Sequence, residues 1–203
     1  MKVDLLSGKR YSLGMTKPTD SKEKTVVAAA RLFRRHGYHA TGLADILSAG
    51  GSPRGSLYFH FPKGKEAIGE AALEMAAEAV RRAIAAAAEA SADAAEFLIR
   101  IIRGMAANLQ QSDFTEGCPI ATVALETAAQ SDALGAAART GFQRWEQEIR
   151  RGLTRFGLEG EAADFTATAA LSQLEGALLL ARTYRSLEPL HRAEAAIRLL
   201  LRR

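Results

Sequence analysis

The sequence predicts an all-α protein, and its composition and apolar spacing are the reasons. Of its 203 residues, 48% are apolar but only 6% are aromatic, so the core must be built mainly from alanine, leucine and isoleucine. Alanine and leucine are strong helix formers. Only five prolines interrupt the chain, and apolar residues recur at helical spacing between them. We therefore expect a small N-terminal unit of three short helices followed by a larger helical body.

The charge of the chain is divided unevenly between these two parts. Residues 1–64 carry 11 Lys or Arg and 4 Asp or Glu, a balance of +7, whereas residues 65–203 carry 16 and 19, a balance of −3. A basic module joined to a neutral or acidic body is typical of proteins that bind nucleic acid. A solvated basic tail or a chance fluctuation would give the same balance, so charge alone does not decide between them.

The N-terminal part divides into an extension and a compact unit. Residues 1–19 are polar and without pattern, which predicts a disordered N-terminal extension, and Met15 is an alternative start of the protein. Residues 20–64 are expected to form the three-helix unit. Its first helix carries an apolar face and ends at Gly37, since glycine readily adopts the left-handed conformation that stops a helix.

The second and third helices of the unit are separated by a glycine turn. Thr41 is a good N-cap for the second helix, and Gly50 and Gly51 interrupt it. Ser52 followed by Pro53 restarts a helix, because proline at the first helical position lacks an N–H group that would be unpaired there anyway. The third helix is therefore short and ends before a proline and a glycine.

The remaining chain, residues 65–203, is predicted to be one larger helical domain. It is rich in alanine and leucine, and breaks in the apolar pattern divide it into six helices. Their expected ranges are about 65–90, 93–110, 119–129, 133–156, 161–184 and 190–201.

Several classes of protein are disfavoured by the sequence. No apolar run approaches the roughly 18 residues that a membrane helix needs, and the N-terminus lacks a secretory signal, so we expect a cytoplasmic protein with no membrane partner. Cys118 is the only cysteine and cannot form an internal disulfide. The four histidines have no carboxylate or thiolate cluster beside them, so no metal and no cofactor are expected. No catalytic motif appears, although a helical enzyme remains an alternative.

A helix, a tight glycine turn and a second short helix form the helix-turn-helix arrangement, in which the second helix enters the major groove of DNA. The residue types of the segment "GGSPRGSLYFHFPKGKEAI" suit this position. Arg54 can offer a fork of donors to guanine, and Gly55 lets the backbone approach the groove wall. Ser56 adds a donor and an acceptor.

Other polar side chains around this segment are spaced to contact phosphate oxygens, which position a protein on the duplex. Leu57 and Phe61 are expected to face inward and hold the short helix in place. The DNA-binding residues expected from the sequence are Thr41, Ser52, Arg54, Gly55, Ser56, Tyr58, His60, Lys63 and Lys65.

The segment "TGLADILSAGGSPRGSLYFHFPKGKEAI", residues 41–68, resembles the DNA-binding signature of the TetR family of bacterial transcriptional regulators. The matching residues are Ala49-Gly50, Ser52, Gly55, Leu57-Tyr58, His60-Phe61 and Lys65-Glu66. A second segment, "FTEGCPIATVALE" at residues 114–126, resembles the C-terminal domain of the LmrA/YxaF-like branch. The resemblance runs from about residue 20 onward. It implies a homodimeric regulator that binds a double-stranded DNA operator and responds to a small hydrophobic effector, most often as a repressor.

Two positions depart from the family pattern. Gly51 stands where the family usually has an apolar residue, commonly valine, that anchors the turn in the core, so we expect a looser turn. The segment from Pro62 to Lys65 is one residue longer than the commonest spacing, so Lys63 is expected to be able to take the place of Lys65 at the DNA backbone.

An effector cavity would lie in the C-terminal domain. Trp145 and Phe142 belong to a helical apolar stripe, which is usually core but in a ligand-responsive regulator can line the cavity. Buried polar groups need partners, and a ligand can be that partner. The candidate ligand-binding residues are Met105, Asn108, Phe114, Cys118, Phe142, Trp145, Gln173 and Glu175.

The last two helices carry apolar residues on more than one face. Such faces either pack within the protein or form the four-helix dimer interface that the resemblance implies. The expected dimer-interface residues are Leu171, Leu174, Leu178, Ala181, Ile197 and Leu200.

Three other functions remain as alternatives to a repressor. A transcriptional activator would use the same DNA-binding unit. A structural DNA-binding protein would bind without sequence preference and ignore small molecules. A redox regulator would act through Cys118, if the start of the following helix lowered the pKa of its thiol.

Overall fold

The computed structural model describes residues 21–52 and 54–201, and for three residues of the short third helix, Arg54, Ser56 and Tyr58, it describes the backbone only. The N-terminal extension expected over residues 1–19 lies outside the described residues, as does the expected helix start at Pro53.

The described residues form nine α-helices and no strands, so the all-α class is confirmed. The observed bounds differ from the expected ones by one or two residues at most ends, which is the usual uncertainty at helix termini. The helices are α1 (Ser21–His36), α2 (Leu43–Gly50), α3 (Arg54–His60), α4 (Lys65–Glu89), α5 (Ala94–Gln111), α6 (Ala121–Thr127), α7 (Asp132–Arg155), α8 (Gly160–Tyr184) and α9 (Glu188–Leu200).

The three N-terminal helices pack around a small apolar centre. α1 contributes Val26, Ala29 and Phe33, and α2 contributes Ile46 and Leu47. α2 begins one residue later than expected, because Gly42 is its N-cap and the Gly42 N–H group donates to the carboxylate of Asp45 at 3.0 Å. Thr41 therefore does not cap this helix, which corrects the sequence expectation.

The larger part of the protein is organised around the pairing of α4 with α7. Two small residues bring these helices close together: a Cβ atom at Gly141 would lie 3.2 Å from the Cβ of Ala77. The indole N–H of Trp145 donates to the Ala77 carbonyl at 2.8 Å, so the tryptophan also ties α7 to α4. α5 and α8 pack against this pair, and α9 packs against α5 and α8. The buried side chains of these helices join those of α1, α2 and α3 in one continuous apolar core.

α7 and α5 start with side-chain caps, as their sequences favour. The Ser131 hydroxyl accepts from the Leu134 N–H group at 3.2 Å, and the Asp93 carboxylate accepts from the Glu96 N–H group at 2.7 Å. Within residues 21–52 and 54–201 no helix is long and apolar enough to cross a membrane.

Candidate nucleic-acid interface and effector cavity

α3 presents one face to the protein and the opposite face to the surroundings. Leu57 is buried on α3, and Phe61, just beyond its end, is buried beside it. Gly55 and Phe59, one helical turn apart, lie on the opposite side, where Phe59 is 84% exposed. A Cβ atom at Gly55 would meet no other atom within 4 Å. The outer face of α3 is thus open and combines an exposed aromatic ring with unobstructed backbone.

The turn before α3 uses its two glycines for different purposes. Gly51 adopts φ +59°, a left-handed conformation that ends α2, and its N–H group donates to the last carbonyls of that helix. Gly50 provides a close approach, since a Cβ atom there would lie 3.1 Å from the Lys24 carbonyl oxygen. The glycine that departs from the family pattern is therefore the residue that a left-handed turn favours.

Ser52 holds the turn against α1 through its hydroxyl group. It is only 8% exposed, the Thr25 hydroxyl donates to it at 2.9 Å, and it donates to the Ser21 carbonyl at 3.2 Å. Thr41 is 2% exposed, and its hydroxyl donates to the Gly37 carbonyl at 2.8 Å. Both hydroxyls were expected to contact DNA. The structure instead uses them inside the protein, where they position α2 and α3.

The basic residues after α3 differ in accessibility. Lys63 is exposed in the turn between α3 and α4. The Lys65 ammonium lies 4.3 Å from the centre of the Tyr38 ring, and burial lowers the pKa of Lys65 while the nearby Glu126 raises it. His60 is partly exposed, with its ring edge-on to Phe59 at 5.1 Å between centroids. Of the two lysines, Lys63 is the more accessible to a phosphate group.

A cavity of about 70 Å³ lies among the helices of the larger part of the protein. Its walls come from α4, α5, α7 and α8, from the segment 116–119 that precedes α6, and from one side chain of α1. Five of the ligand-binding residues expected from the sequence line it: Met105, Asn108, Cys118, Trp145 and Glu175. Three others do not line it: Phe114, Phe142 and Gln173. Trp145 is thus in the cavity wall, and the Phe142 ring lies edge-on to it at 5.5 Å between centroids.

The polar end of the cavity contains the thiol of Cys118 and the carboxyl group of Glu175. Burial raises the pKa of the Glu175 carboxyl, and a hydrogen bond with Cys118 opposes that shift. Burial also raises the pKa of the Cys118 thiol well above its usual value, and the adjacent Glu175 adds to the effect. The start of the following helix was expected to lower the pKa of the Cys118 thiol. Burial raises this pKa by more than the backbone hydrogen bonds lower it. The thiol therefore stays protonated, and a redox role that needs the thiolate loses its physical basis.

The expected dimer face is largely used inside the protomer. Leu174, Leu178, Ala181 and Ile197 are buried in the core, and Leu171, Leu174 and Leu178 line the cavity. This corrects the sequence expectation, because side chains buried within one protomer cannot pack against a second. Leu200 is exposed as expected. Other large apolar side chains of α8 and α9 are exposed with it: Phe165, Leu179, Leu180, Tyr184 and Leu199.

The cavity wall is tied directly to α1. Arg34 of α1 lines the cavity, its Nε donates to the Gly117 carbonyl at 2.9 Å, and the Gly117 N–H group donates back to the Arg34 carbonyl at 3.3 Å. From α8, the Arg182 guanidinium donates to the carbonyls of Arg35 at 3.1 Å and Thr115 at 3.0 Å. We call residues 115–118 with these two arginines the α1 clasp. The clasp joins three parts of the chain: α1, α8 and the segment that precedes α6.

A second contact ties α6 to the end of α1. The Glu126 carboxylate accepts from the His39 N–H group at 2.7 Å, and it lies so close to Gly37 that a Cβ atom there would overlap it. Gly37 itself has φ +85°. The turn after α1 is therefore shaped to receive a side chain from α6.

Sequence reasoning missed Arg34, Glu116 and Phe59 as site residues. The signal for Phe59 was present, since it follows the inward Leu57 by two positions and must point outward on a helix. Arg34 and Glu116 are 82 positions apart, and nothing local in the sequence indicates that they meet at 3.6 Å.

A glycine turn between two short helices, an open outer face on the second of them, and a larger helical part with a cavity define a DNA-binding transcriptional regulator. The chain belongs to the TetR family, in its LmrA/YxaF-like branch. Residues 26–72 match the model of the bacterial regulatory proteins of the TetR family, and residues 94–196 match that of the LmrA/YxaF-like C-terminal domain. The family and the branch expected from the sequence are both confirmed.

Known proteins resemble the chain over nearly its full length. It is 34% identical to the HTH-type transcriptional regulator LmrA of Bacillus subtilis (strain 168) over 184 residues, 91% of this chain and 98% of the relative. A TetR transcriptional regulator from Legionella pneumophila has the same fold, with a TM-score of 0.78, 22% identity and coverage of 92% and 100%. The structure of a cysteine mutant of the TetR-family regulator CifR, complexed with a 26-base-pair double-stranded operator DNA, matches with a TM-score of 0.75, 21% identity and coverage of 91% and 98%.

Proposed function

We propose that this regulator is a cytoplasmic repressor that binds a palindromic operator as a homodimer and leaves it when a small, largely apolar effector enters the cavity. The observation that carries the proposal is the open outer face of α3, with Gly55 unobstructed and Phe59 84% exposed. In this proposal residues 20–64 bind DNA, and residues 65–203 bind the effector and form the dimer.

The DNA contacts divide by chemistry. Arg54 and Ser56 at the start of α3 read base edges, and Gly55 lets the backbone approach them. Phosphate contacts come from Tyr58, His60 and Lys63, and from Lys65 if its ammonium leaves the Tyr38 ring. Thr41 and Ser52 act indirectly, because their hydroxyls hold α2 and α3 in position.

The dimer interface is formed by the exposed apolar side chains of α8 and α9. Several large apolar side chains exposed on two helices in contact favour an interaction site, and a twofold interface uses the same surface on both copies. Twofold symmetry then places the two copies of α3 one DNA turn apart, about 34 Å, or a multiple of that distance.

The size of the cavity and the residues that form its wall suggest how effector binding releases the protein from its operator. Pockets for drug-sized ligands usually measure roughly 300–1,000 Å³, so a cavity of about 70 Å³ must expand to take one. Part of the wall that would move is the α1 clasp, which is bonded to the DNA-binding unit. α4 is a second connection, since it runs from the DNA-binding unit into the cavity wall. A coupling of about 1–3 kcal/mol changes operator affinity roughly 5- to 150-fold.

The proposal is tested by selecting bound duplexes from a random pool and measuring the affinity of the enriched sequence. We expect a palindrome, and Arg54→Ala should weaken binding by about 1–3 kcal/mol and relax the base preference. Arg139→Ala, at an exposed arginine of α7, is the control and should leave both unchanged. A pool without an enriched sequence would favour a structural DNA-binding protein instead.

Repression and activation are separated by a transcription assay in which the selected operator overlaps a promoter. The repressor proposal predicts less transcript when the protein is added. An increase in transcript at saturating protein would establish an activator.

A further inference from the structure

The effector cavity has an excess of negative charge. Its walls are mostly apolar, but three ionisable groups that are charged at neutral pH in water reach it: the guanidinium of Arg34 and the carboxyl groups of Glu116 and Glu175. A cavity lined by one cation and two acids carries one acidic group in excess. Which acid lacks a partner is decided by the distances.

Arg34 and Glu116 compensate each other. The Arg34 Nη1 and the Glu116 Oε2 are 3.6 Å apart, and the Nε of the same guanidinium donates to the Gly117 carbonyl at 2.9 Å. Arg34 is thereby committed to the segment before α6 and not to α8, where Glu175 lies.

Glu175 has no cationic partner among the side chains that the structure describes. The Cys118 thiol, which lines the cavity with it, is only a weak donor. Leu171, Leu174 and Leu178 surround it on α8, all of them in the cavity wall. An ionised carboxylate in such a setting is costly unless a cation joins it, and a ligand is the component that could supply one.

Trp145 adds a second feature that suits a cation. The Trp145 indole N–H is used by the Ala77 carbonyl, so the group that Trp145 offers to the cavity is its ring system. A cation near an indole face is attracted by the ring quadrupole, more strongly when water is excluded.

We propose that the cavity binds a small apolar molecule carrying one positively charged amine, with the ammonium group paired to Glu175 and the apolar body against Trp145. The inference names the chemical class of the effector and so rests on the proposed function for its biological meaning. The binding site itself is tested separately, by direct measurements of ligand binding without DNA.

The site predicts a definite pH dependence. The other ionisable groups that line the cavity with Glu175 are Arg34 from α1 and Glu116 and Cys118 from the segment before α6. Burial raises the pKa of Glu175, so in the empty cavity the carboxyl group binds its proton at a higher pH than in water. The paired state needs the carboxylate. Affinity for an amine therefore increases as pH rises through the pKa of Glu175 and is lost as pH falls below it.

The test uses three molecules of nearly equal size and different charge: 2-phenylethylamine, 2-phenylethanol and phenylacetate. Calorimetric titration of the full-length protein, without DNA, gives the affinities, and the fluorescence of Trp145, the only tryptophan, reports where they bind. We expect the amine to bind about tenfold or more tightly than the alcohol, and the carboxylate most weakly. Amine affinity should increase with pH, whereas alcohol affinity should not.

Glu175→Gln is the decisive variant, because it keeps the size of the side chain and removes its charge. It should abolish the preference for the amine and its pH dependence, while 2-phenylethanol still binds and quenches Trp145 fluorescence. Glu161→Gln, at an exposed carboxylate of the same helix, should behave like the unmodified protein. Retained alcohol binding shows that the variant is folded.

Equal affinities for the three molecules, or an amine preference that survives Glu175→Gln, would overturn the proposal. So would failure of the amine to bind at any pH in the range where the protein is folded. If the amine binds through Glu175 but leaves operator affinity unchanged, the amine site stands and the effector role under the proposed function fails.

Discussion

Gly55 has no side chain, and this leaves open space beside the backbone of α3. It lies in the exposed first turn of α3, and a Cβ atom there would meet nothing within 4 Å of the protein. The protein itself therefore does not require glycine at this position for space. Glycine in a helix is less stable than alanine, so its presence indicates that the space is used by a partner.

Gly55→Ala should separate stability from DNA binding. We expect a gain in unfolding free energy of up to about 1 kcal/mol, since alanine favours the helix. Operator affinity should fall by about 1–3 kcal/mol, because the added methyl group overpacks the contact with the groove. Thermal unfolding and a DNA titration measure the two quantities. Gly104→Ala on α5, where a Cβ also meets nothing, should raise stability and leave DNA affinity unchanged.

Phe59 is largely exposed, and the aromatic contact that the structure gives it is with the neighbouring His60 ring, which lies edge-on to it. Phe59→Ala should change the unfolding free energy by no more than about 0.5 kcal/mol, as is usual for surface positions. Operator binding should weaken by at least about 1 kcal/mol, because apolar contact with thymine methyl groups would be lost. Leu125→Ala, at an exposed leucine of α6, is the control for loss of apolar surface. Equal operator affinity of the two variants would remove Phe59 from the DNA interface.

At the scale of elements, the α1 clasp connects parts of the chain that are distant in sequence. Arg182 on α8 donates to the Arg35 carbonyl in the last turn of α1, where cations are favoured by the helix dipole, and also to the Thr115 carbonyl. Gly117 allows this arrangement, since a Cβ atom there would lie 2.9 Å from a guanidinium nitrogen of Arg182. The DNA-binding unit is thus held to the cavity wall by backbone and side-chain hydrogen bonds together.

Arg182→Ala should loosen this connection. Removing two charge-assisted hydrogen bonds on a partly exposed side chain should cost about 1–2 kcal/mol of unfolding free energy. Amide hydrogen exchange in residues 33–39 should become faster than in the unmodified protein. Exchange in the core of α7 should change less. Arg192→Ala, which breaks the exposed ion pair with Glu188, should change stability by less than about 0.5 kcal/mol and leave that exchange unchanged. Identical exchange in both variants would show that the clasp does not hold α1.

At the scale of the whole molecule, large apolar side chains of α8 and α9 are exposed, and they carry the dimer interface that we propose. Leu179 is 57% exposed and Leu199 is 64% exposed, on adjacent helices. A protein with several such side chains on one surface is expected to associate through it.

Replacing Leu179 and Leu199 together by glutamate should give a folded monomer. Charges at the centre of an apolar interface lose their hydration and repel the same charges on the partner. Sedimentation analysis should show half the mass, circular dichroism should show the same helix content, and operator affinity should fall steeply. Leu125→Glu, on an exposed part of α6, is the control and should remain dimeric. A dimer that survives the double substitution would place the interface elsewhere.

The helix-turn-helix unit and the family could be predicted from sequence because their signals are local. Turn glycines, a serine before proline and the inward spacing of Leu57 and Phe61 act within a few residues of each other. The same local reasoning assigned Thr41 and Ser52 to DNA, because a hydroxyl at a helix start can serve either a phosphate or the protein's own backbone. Only their neighbours, Gly37 and Thr25, show which partner they have.

The sequence by itself determined the helices and the helix-turn-helix unit, since periodicity and turn chemistry depend on near neighbours. The tertiary structure decided which apolar face of α8 is inside, because that helix is apolar on more than one side and periodicity does not distinguish a protein's own core from a second copy. It also decided that Arg34, Glu116 and Glu175 share one cavity. Contacts between residues so far apart depend on how whole helices pack, and no local pattern records them.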